Sequence, residues 1–407
     1  MNALERFLNY AVVFTASDPE NEAVTPSTEC QHDLAVLLEQ EMLAMGLENV
    51  TRTEHAYVYG FLPATPGYEQ SKVIGFNAHI DVADDMGLTG KVCPRVIRDY
   101  DGGDIVLGDS GRTIKVENFP HLAECVGKTI VVTDGTTVLG ADDKAGIAAA
   151  MTMADRLIKE NIPHGRVCLC FSPDEEIGHG AALLDLDFFG ADYAFTVDGA
   201  SPWDVEAETF NAASAYIEIN GVSVHPGSGK DTMVNAVLVA MELNDLLPKQ
   251  QTPRETEGHQ GFWHLTGLQG TTPYAKLHYI IRDHDAETFA WRQQVLLDIV
   301  DRLNAKYGAG TVVMTIKQEY RNMAEVVNQY PELLETAERA IRSVGCEPVY
   351  VPVRGGTDGA QLSFRGLPCP NLGAGGYGFH GPYEHLVAEE LDMSVEILLD
   401  IVKQFAK

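Results

Sequence analysis

The sequence predicts an α/β protein with a largely parallel sheet and a second, smaller α+β unit. Strand-like segments alternate with segments whose apolar residues recur at helical spacing, the pattern of strands connected by helices. Several strand-like segments are followed directly by acidic or histidine residues, and such residues mark the carboxyl edge of a sheet, where ligands bind. At 407 residues the chain is long enough for two domains.

The first predicted elements belong to the larger unit. A helix is expected to begin just after Pro26, because Thr28 and Gln31 have the spacing of a capping box. It should end at Gly46. An Ala-rich segment predicts another helix at 144–159. Four short apolar runs predict buried strands, at 73–78, 129–132, 167–171 and 193–197.

The pattern changes after about Glu206. Strands are expected at 215–219, 275–281 and 311–316, with a further one near 262–265, and helices at 234–247 and 286–307. This succession predicts a small α+β domain at 207–320, inserted between two parts of the larger domain, 1–206 and 321–407. The second part should hold a helix at 332–344 and a final helix that ends near Phe405.

Charge and cysteine content narrow the class of protein. The chain has 29 basic and 59 acidic residues, a net charge of -30, which argues against binding to nucleic acid or to an anionic membrane. Seven cysteines without a C-x-x-C pair predict free thiols in a reducing cytoplasm. No segment has the apolar length of a signal peptide or a membrane span.

Five short segments supply the residue types that bind divalent cations. They contain His79, Asp81, Asp142, Glu175, Glu176, Asp198 and His380. Two imidazoles with several carboxylates suit a pair of borderline cations, above all zinc. The pair Glu175-Glu176 offers one ligand and one spare carboxylate, which is the general base that a metallohydrolase needs.

Each segment by itself also has an ordinary explanation. H-x-D arises often by chance, Asp142 and Asp143 could cap the helix that they precede, and the acids at 174–176 could form a solvated loop. The combination favours the metal site, because three consecutive acids beside other carboxylates repel one another unless cations neutralise them.

These segments resemble those of the M20 metallopeptidases and, within that family, the tripeptide aminopeptidases. The matching segments are His79-x-Asp81, Gly140-x-Asp142-Asp143-Lys144-x-Gly146, Asp174-Glu175-Glu176-x-Gly178, Asp198, His380 with Glu384, His225-Pro226-Gly227, and the runs at 256–262, 278–283 and 354–360. The likeness extends from Pro26 to the last helix. One departure lies at Tyr383, where the family pattern H-G-x-H-E has a second histidine.

The resemblance implies a zinc-exopeptidase domain with two zinc ions per subunit. Asp142 would bridge the two ions, His79 and Asp198 would complete the site of one, and Glu176 and His380 that of the other. The inserted domain would serve as a lid or dimerisation domain, which is compatible with a homodimer.

Catalytic roles follow from the same resemblance. Asp81 would hold the ring of His79 in one tautomer. Glu175 would accept a proton from the water that the metals share as this water attacks the peptide carbonyl, and would pass the proton to the leaving amine.

Four residues are candidates for substrate binding. His225 would stabilise the oxyanion, although a loop histidine is the ordinary interpretation. Arg282 and Arg354 would clamp the carboxylate of a short peptide, although each could form a surface salt bridge. Asp85 would meet the α-ammonium group of the substrate, and solvation in its loop explains it equally well.

The resulting hypothesis is a cytosolic dizinc aminopeptidase that releases the N-terminal residue of tripeptides. The same site would also serve a dipeptidase, a carboxypeptidase or an N-acyl-amino-acid deacylase of this family, since all of these take substrates with a free carboxylate. A non-catalytic peptide-binding relative is disfavoured by Glu175, because binding alone does not need a base.

Overall fold

Helices and strands alternate along the chain in the computed structural model, which describes residues 1–83, 87, 91–108 and 110–407. The helices are α1 (Ala3–Ala11), α2 (Gln31–Met45), α3 (Ala141–Lys159), α4 (Leu186–Phe189), α5 (Ala236–Leu246), α6 (Ala286–Tyr307), α7 (Ala324–Val327), α8 (Pro331–Ser343), α9 (Asp358–Phe364) and α10 (Ala388–Phe405). The strands are β1 (Glu48–Arg52), β2 (Val58–Leu62), β3 (Ile74–His79), β4 (Arg95–Ile97), β5 (Ile105–Leu107), β6 (Arg112–Ile114), β7 (Ile130–Val132), β8 (Val167–Ser172), β9 (Tyr193–Gly199), β10 (Asp204–Glu206), β11 (Asn211–Asn220), β12 (Phe262–Gly270), β13 (Tyr274–Asp283), β14 (Val312–Tyr320), β15 (Val349–Tyr350), β16 (Asn371–Gly373), β17 (Gly376–Tyr377) and β18 (His385–Val387).

These elements form two compact units. Unit 1 comprises Met1–Ala207, Glu325–Val351 and Thr357–Lys407, and unit 2 comprises Glu208–Ala324 and Pro352–Gly356. Residues Pro352–Gly356 belong to unit 2. The sequence pattern gave no sign of this and grouped them with 321–407.

Unit 1 is built on a mixed sheet of eight strands in the order β1-β2-β8-β3-β9-β16-β10-β15. Its centre is parallel, because β3 lies between β8 and β9 and runs in the same direction as both. All residues of β3 and β8 are buried, which explains why these strands are continuous apolar runs in the sequence. The predicted α/β class is confirmed.

Helix α3 packs closely on this sheet. Its residues Ile147, Ala148 and Met151 are fully buried in the main core of unit 1. A Cβ atom at Gly146 would lie 1.9 Å from the carbonyl oxygen of Val197 in β9, so only glycine allows the helix to approach the strand this closely.

A second, smaller sheet lies in unit 1. It has the order β17-β18-β7-β4, and β5 and β6 form a separate hairpin. The strand predicted at 129–132 is therefore present as β7, but it belongs to this sheet and not to the eight-stranded one.

The predicted capping box at the start of α2 is wrong. The helix begins at Gln31, and its N-cap residue Cys30 makes no side-chain cap hydrogen bond. The side-chain amide of Gln31 donates to Asp174 Oδ1 at 2.6 Å and to Thr28 Oγ1 at 3.2 Å, and it accepts no hydrogen bond from the backbone N–H of Thr28. The predicted end is confirmed, since Gly46 is the C-cap residue with a φ of 88°.

Unit 2 is an antiparallel sheet in the order β12-β13-β11-β14, with α5 and α6 packed on one face. Side chains of β11 alternate between buried and exposed beyond Ala215, as expected for a sheet with one covered face. The predicted α+β composition is confirmed, and all four strands, β11 to β14, are longer than their apolar cores suggested.

Candidate metal centre

The predicted ligands of unit 1 meet at one edge of the eight-stranded sheet. His79 is the last residue of β3 and pairs in register with Ser172, the last residue of β8. Asp174–Glu176 follow β8, and Asp198 lies near the end of β9. Since these strands are parallel neighbours, their carboxyl ends bring the side chains together.

Two histidines lie on either side of the Asp142 carboxylate. The Nε2 atom of His79 is 2.8 Å from Asp142 Oδ1 and 3.4 Å from Asp198 Oδ1. The Nε2 atom of His380 is 3.4 Å from Asp142 Oδ2 and 2.9 Å from Glu176 Oε2. Asp142 thus presents one oxygen to each imidazole.

Asp81 connects His79 to the acidic turn after β8. The Nδ1 atom of His79 lies 3.0 Å from the carbonyl oxygen of Asp81 and 3.4 Å from its Oδ1. A proton on Nδ1 satisfies this contact and leaves the lone pair on Nε2. The carboxylate of Asp81 also accepts hydrogen bonds from the backbone N–H groups of Glu175, at 3.0 Å, and Glu176, at 3.2 Å.

The side-chain atoms are close enough to bind cations. His79, Asp142 and Glu176 form one group, and His79, Glu175 and Asp198 form another, with ligand atoms within 4.8 Å of one another in each group. The carboxylate of Glu175 accepts no hydrogen bond from any residue that the structure describes.

The charges of this cluster are poorly balanced. Burial raises the pKa of Asp198 to about 7, and burial also raises the pKa values of Glu175 and Glu176. Hydrogen bonds to Asp142 and Glu176 raise the pKa of His380 to about 11. Asp142 and Glu176 therefore keep the imidazole of His380 protonated. A bound cation would supply the same positive charge in place of that proton. This donor set fits divalent cations.

Two further acids support the start of α3. Glu384 accepts hydrogen bonds from the backbone N–H groups of Leu139 at 2.6 Å, Gly140 at 2.8 Å and Asp142 at 3.0 Å. Asp143 accepts one from the backbone N–H of His79 at 3.2 Å. Asp143 also caps the first turn of α3, as its sequence position allowed, since its Oδ1 accepts the backbone N–H of Gly146 at 3.1 Å. The sequence motifs carried no signal for the backbone partners of Glu384.

Three of the predicted substrate-binding residues belong to unit 2. His225 is exposed, and its Nδ1 accepts a hydrogen bond from the backbone N–H of Gly227 at 3.1 Å. The guanidinium of Arg282 donates to the carbonyl oxygens of Ala213, at 3.2 Å, and Ile281, at 3.0 Å. Asp85 lies outside the described residues.

Arg354, the third of these residues, holds a loop of its own unit. Its guanidinium donates to the carbonyl oxygens of Gly258 at 2.7 Å and Gln260 at 2.8 Å, and to Thr256 Oγ1 at 2.9 Å. It also lies over the ring of Phe262, 5.7 Å from the centroid. The predicted contact with a substrate carboxylate remains a prediction.

A protein-family match decides to which family the chain belongs. The model of peptidase family M20/M25/M40 matches residues 138–404. The chain belongs to this family. As an M20 peptidase it is an enzyme of the hydrolase class, and the predicted family is confirmed.

Similar proteins match this M20 peptidase over its whole length. Peptidase T of Alkaliphilus oremlandii is 44% identical over 410 residues, which cover 100% of both chains. The crystal structure of an aminopeptidase from Bacillus cereus has a TM-score of 0.78 at 21% identity and covers 100% of this chain and 98% of its own. A dinuclear metal binding peptidase of Bacillus subtilis has a TM-score of 0.64 at 14% identity, with 99% and 97% coverage.

No helix within the described parts of this M20 peptidase is long and apolar enough to cross a membrane.

Proposed function

We propose that this M20 peptidase is a dizinc aminopeptidase that releases the N-terminal residue of tripeptides. The observation that carries the proposal is the Asp142 carboxylate, whose two oxygens face the imidazoles of His79 and His380 at 2.8 and 3.4 Å. The full-length similarity to a peptidase T supports the substrate class.

The proposed ligand set follows the contacts of Asp142. His79 and Asp198 would hold one ion, Glu176 and His380 the other, and Asp142 would contribute one oxygen to each. Two zinc ions, when bound, would polarise the peptide carbonyl and lower the pKa of the attacking water.

Glu175 is the proposed general base. Its carboxylate has no hydrogen-bond donor among the described residues, and it lies in a group with His79 and Asp198. It is therefore free to take the proton of the attacking water and to deliver it to the leaving amine. Burial raises the pKa of Glu175 in the metal-free protein.

Asp81 would orient both partners of this reaction. Its carbonyl oxygen fixes the Nδ1 side of His79, and its carboxylate holds the backbone N–H of Glu175. The ligand and the base are thereby tied to one buried residue.

We also propose that unit 2 serves as a lid and dimerisation domain, which carries His225, Arg282 and Arg354 for substrate binding. Sedimentation equilibrium of the intact chain tests the dimer. A mass of about 44.4 kDa at all concentrations would contradict it. The cytoplasmic location remains a prediction, supported by seven cysteines that are all free within the described chain.

The test of the proposed function is the hydrolysis of Ala-Ala-Ala with an isotopic label in the first residue. Purified protein should release labelled alanine, lose this activity with a chelator and regain it with zinc. Ala-Ala and N-acetyl-Ala-Ala-Ala serve as comparison substrates. Faster cleavage of Ala-Ala would indicate a dipeptidase, cleavage of the blocked peptide at its first peptide bond would contradict an aminopeptidase, and release of unlabelled alanine first would indicate a carboxypeptidase.

A further inference from the structure

Two sets of hydrogen bonds hold the acidic turn after β8, which consists of Asp174, Glu175 and Glu176. Asp174, its first residue, is fully buried and has a left-handed backbone with a φ of 56°. The next two residues are Glu175 and Glu176, the proposed base and a proposed ligand. The contacts of Asp174 therefore set where the backbone of both acids begins.

Asp174 and Gln31 form a reciprocal pair. The Nε2 group of Gln31 donates to Asp174 Oδ1 at 2.6 Å, and the backbone N–H of Asp174 donates to Gln31 Oε1 at 3.1 Å. Gln31 is fully buried at the first position of α2. The NH2 group and the carbonyl oxygen of the Gln31 side chain thus both bond to Asp174.

Ser27 completes the environment of this carboxylate. Its backbone N–H donates to Asp174 Oδ2 at 2.7 Å, and its hydroxyl donates to Oδ1 at 2.6 Å. Asp174 accepts three hydrogen bonds in a buried place. Such a satisfied network fixes one geometry, because any rotation leaves a buried polar group without a partner.

The next two residues of the turn are held by Asp81, which accepts the N–H groups of Glu175 and Glu176. The carboxylate of Glu175 itself has no hydrogen-bond donor among the described residues. The described hydrogen bonds that hold Glu175 therefore act on the backbone of its turn, through Asp81 and Asp174.

We propose that Gln31 and Asp174 are a positioning pair that aims the carboxylate of Glu175 at the reacting water. The proposal rests on the proposed function for the role of Glu175. A shift of about 1 Å in a catalytic group can lower a rate roughly a hundredfold, so a pair that touches neither substrate nor metal has a large effect on kcat. The ordinary alternative is that the pair only joins α2 to the sheet.

Reversal of the pair distinguishes the two explanations. Asp174→Asn replaces one carboxylate oxygen by an NH2 group. In one orientation this group faces the NH2 group of Gln31, and in the other it faces the backbone N–H of Ser27. Either way, two donors face each other without an acceptor. Gln31→Glu places two carboxylates together in a buried site. The double variant restores complementarity, because the new amide donates to the new carboxylate, which still accepts the backbone N–H of Asn at position 174.

Each single variant should lower kcat for Ala-Ala-Ala about 10- to 100-fold, the range for residues that orient a site from outside it, with KM within about threefold. The double variant should recover kcat to within about fivefold of the unaltered protein. Matched controls are Gln40→Glu, at an exposed position of the same helix, and Asp187→Asn, at an exposed position of α4. Both should leave kcat within about twofold.

Competition of zinc with a chromophoric chelator gives a readout without substrate. Glu176 lies in the same turn, so the single variants should weaken zinc binding about tenfold and the double variant should restore it. If the unaltered protein fails to cleave tripeptides, the proposed function fails, and the zinc affinities still decide whether the pair positions the turn.

Single variants that lower the melting temperature but keep both kcat and zinc affinity would show a purely structural link and overturn the proposal. A double variant that remains as impaired as the single variants would overturn it as well. If Gln31→Glu does not fold, Gln31→Met removes the pair without adding a charge. It should show the same loss of kcat at unchanged KM.

Discussion

Glu175 and Glu176 have the same side chain and adjacent positions, but their surroundings differ. Glu176 accepts a hydrogen bond from the backbone N–H of Ala83 at 3.0 Å and lies 2.9 Å from His380. The carboxylate of Glu175 has no such partner among the described residues. At the scale of single residues, this is the difference that we expect between a held ligand and a base that is free to move a proton.

Replacement of Glu175 by Gln should leave the metal content unchanged and lower kcat by at least about 100-fold, because an amide cannot accept the proton. Metal analysis and steady-state kinetics with Ala-Ala-Ala measure the two effects. Glu22→Gln, at an exposed position near the N-terminus, should change neither. Full activity of Glu175→Gln with two metals bound would disprove the assigned role.

The arginines of unit 2 allow a second prediction at this scale. Arg282→Ala and Arg354→Ala should each raise KM for tripeptides by about tenfold, the effect of losing one charged hydrogen bond to a carboxylate. Arg302→Ala, at an exposed position of α6, is the matched control. An increase no larger than that of the control would leave both arginines with structural roles only, such as the loop contacts of Arg354.

At the scale of elements, the start of α3 decides where Asp142 lies. Glu384, from a segment more than 240 residues later, accepts the N–H groups of Leu139 and Gly140, just before the helix, and of Asp142 in its first turn. The carboxylate of Glu384 thus joins the segment that contains His380 to the segment that contains Asp142. Burial raises the pKa of Glu384 to about 7.

Glu384→Gln should lower the free energy of unfolding of the metal-free protein by about 2 kcal/mol, because an NH2 group then faces backbone donors in a buried site. Urea denaturation measures this change. Glu335→Gln on α8, whose side chain is 65% exposed beside Arg339, should stay within about 0.5 kcal/mol of the unaltered protein. Equal midpoints for the two variants would contradict the capping role.

At the scale of the whole molecule, the candidate metal centre joins distant parts of the chain. His79 and His380 are 301 positions apart in the sequence, and each contacts Asp142. Without cations, burial and, after it, repulsion from Asp142 raise the pKa values of Asp198 and Glu176. Bound cations should therefore stabilise the native fold of unit 1.

Removal of metal should lower the melting temperature, and return of zinc should restore it. At a free zinc concentration of about 100 times the dissociation constant, each site adds about 2.7 kcal/mol by mass action. Calorimetry with chelator and with zinc measures the shift. Asp142→Asn, which alters the residue between both imidazoles, should show a much smaller response to zinc. An equal response would place the stabilising ions elsewhere.

Much of the fold followed from local patterns. The helix predicted at 286–307 coincides with α6, and those at 144–159 and 332–344 differ from α3 and α8 by three residues or fewer at each end. Ten strands were not predicted: β1, β2, β4, β5, β6, β10, β15, β16, β17 and β18. Eight of them have only two or three residues, too few for a periodicity to be recognised.

The sequence alone determined the candidate ligands, the α/β class and the family, because these depend on residue type, spacing and periodicity. Only the tertiary structure decided which groups those ligands contact. The Thr28–Gln31 spacing suggested a local cap, yet Gln31 bonds to Asp174, 143 positions away. Asp81, expected to serve His79 alone, also accepts the N–H groups of Glu175 and Glu176. A hydrogen bond needs only two atoms at the right distance and angle, and for distant residues that distance is set by packing, which no local spacing records.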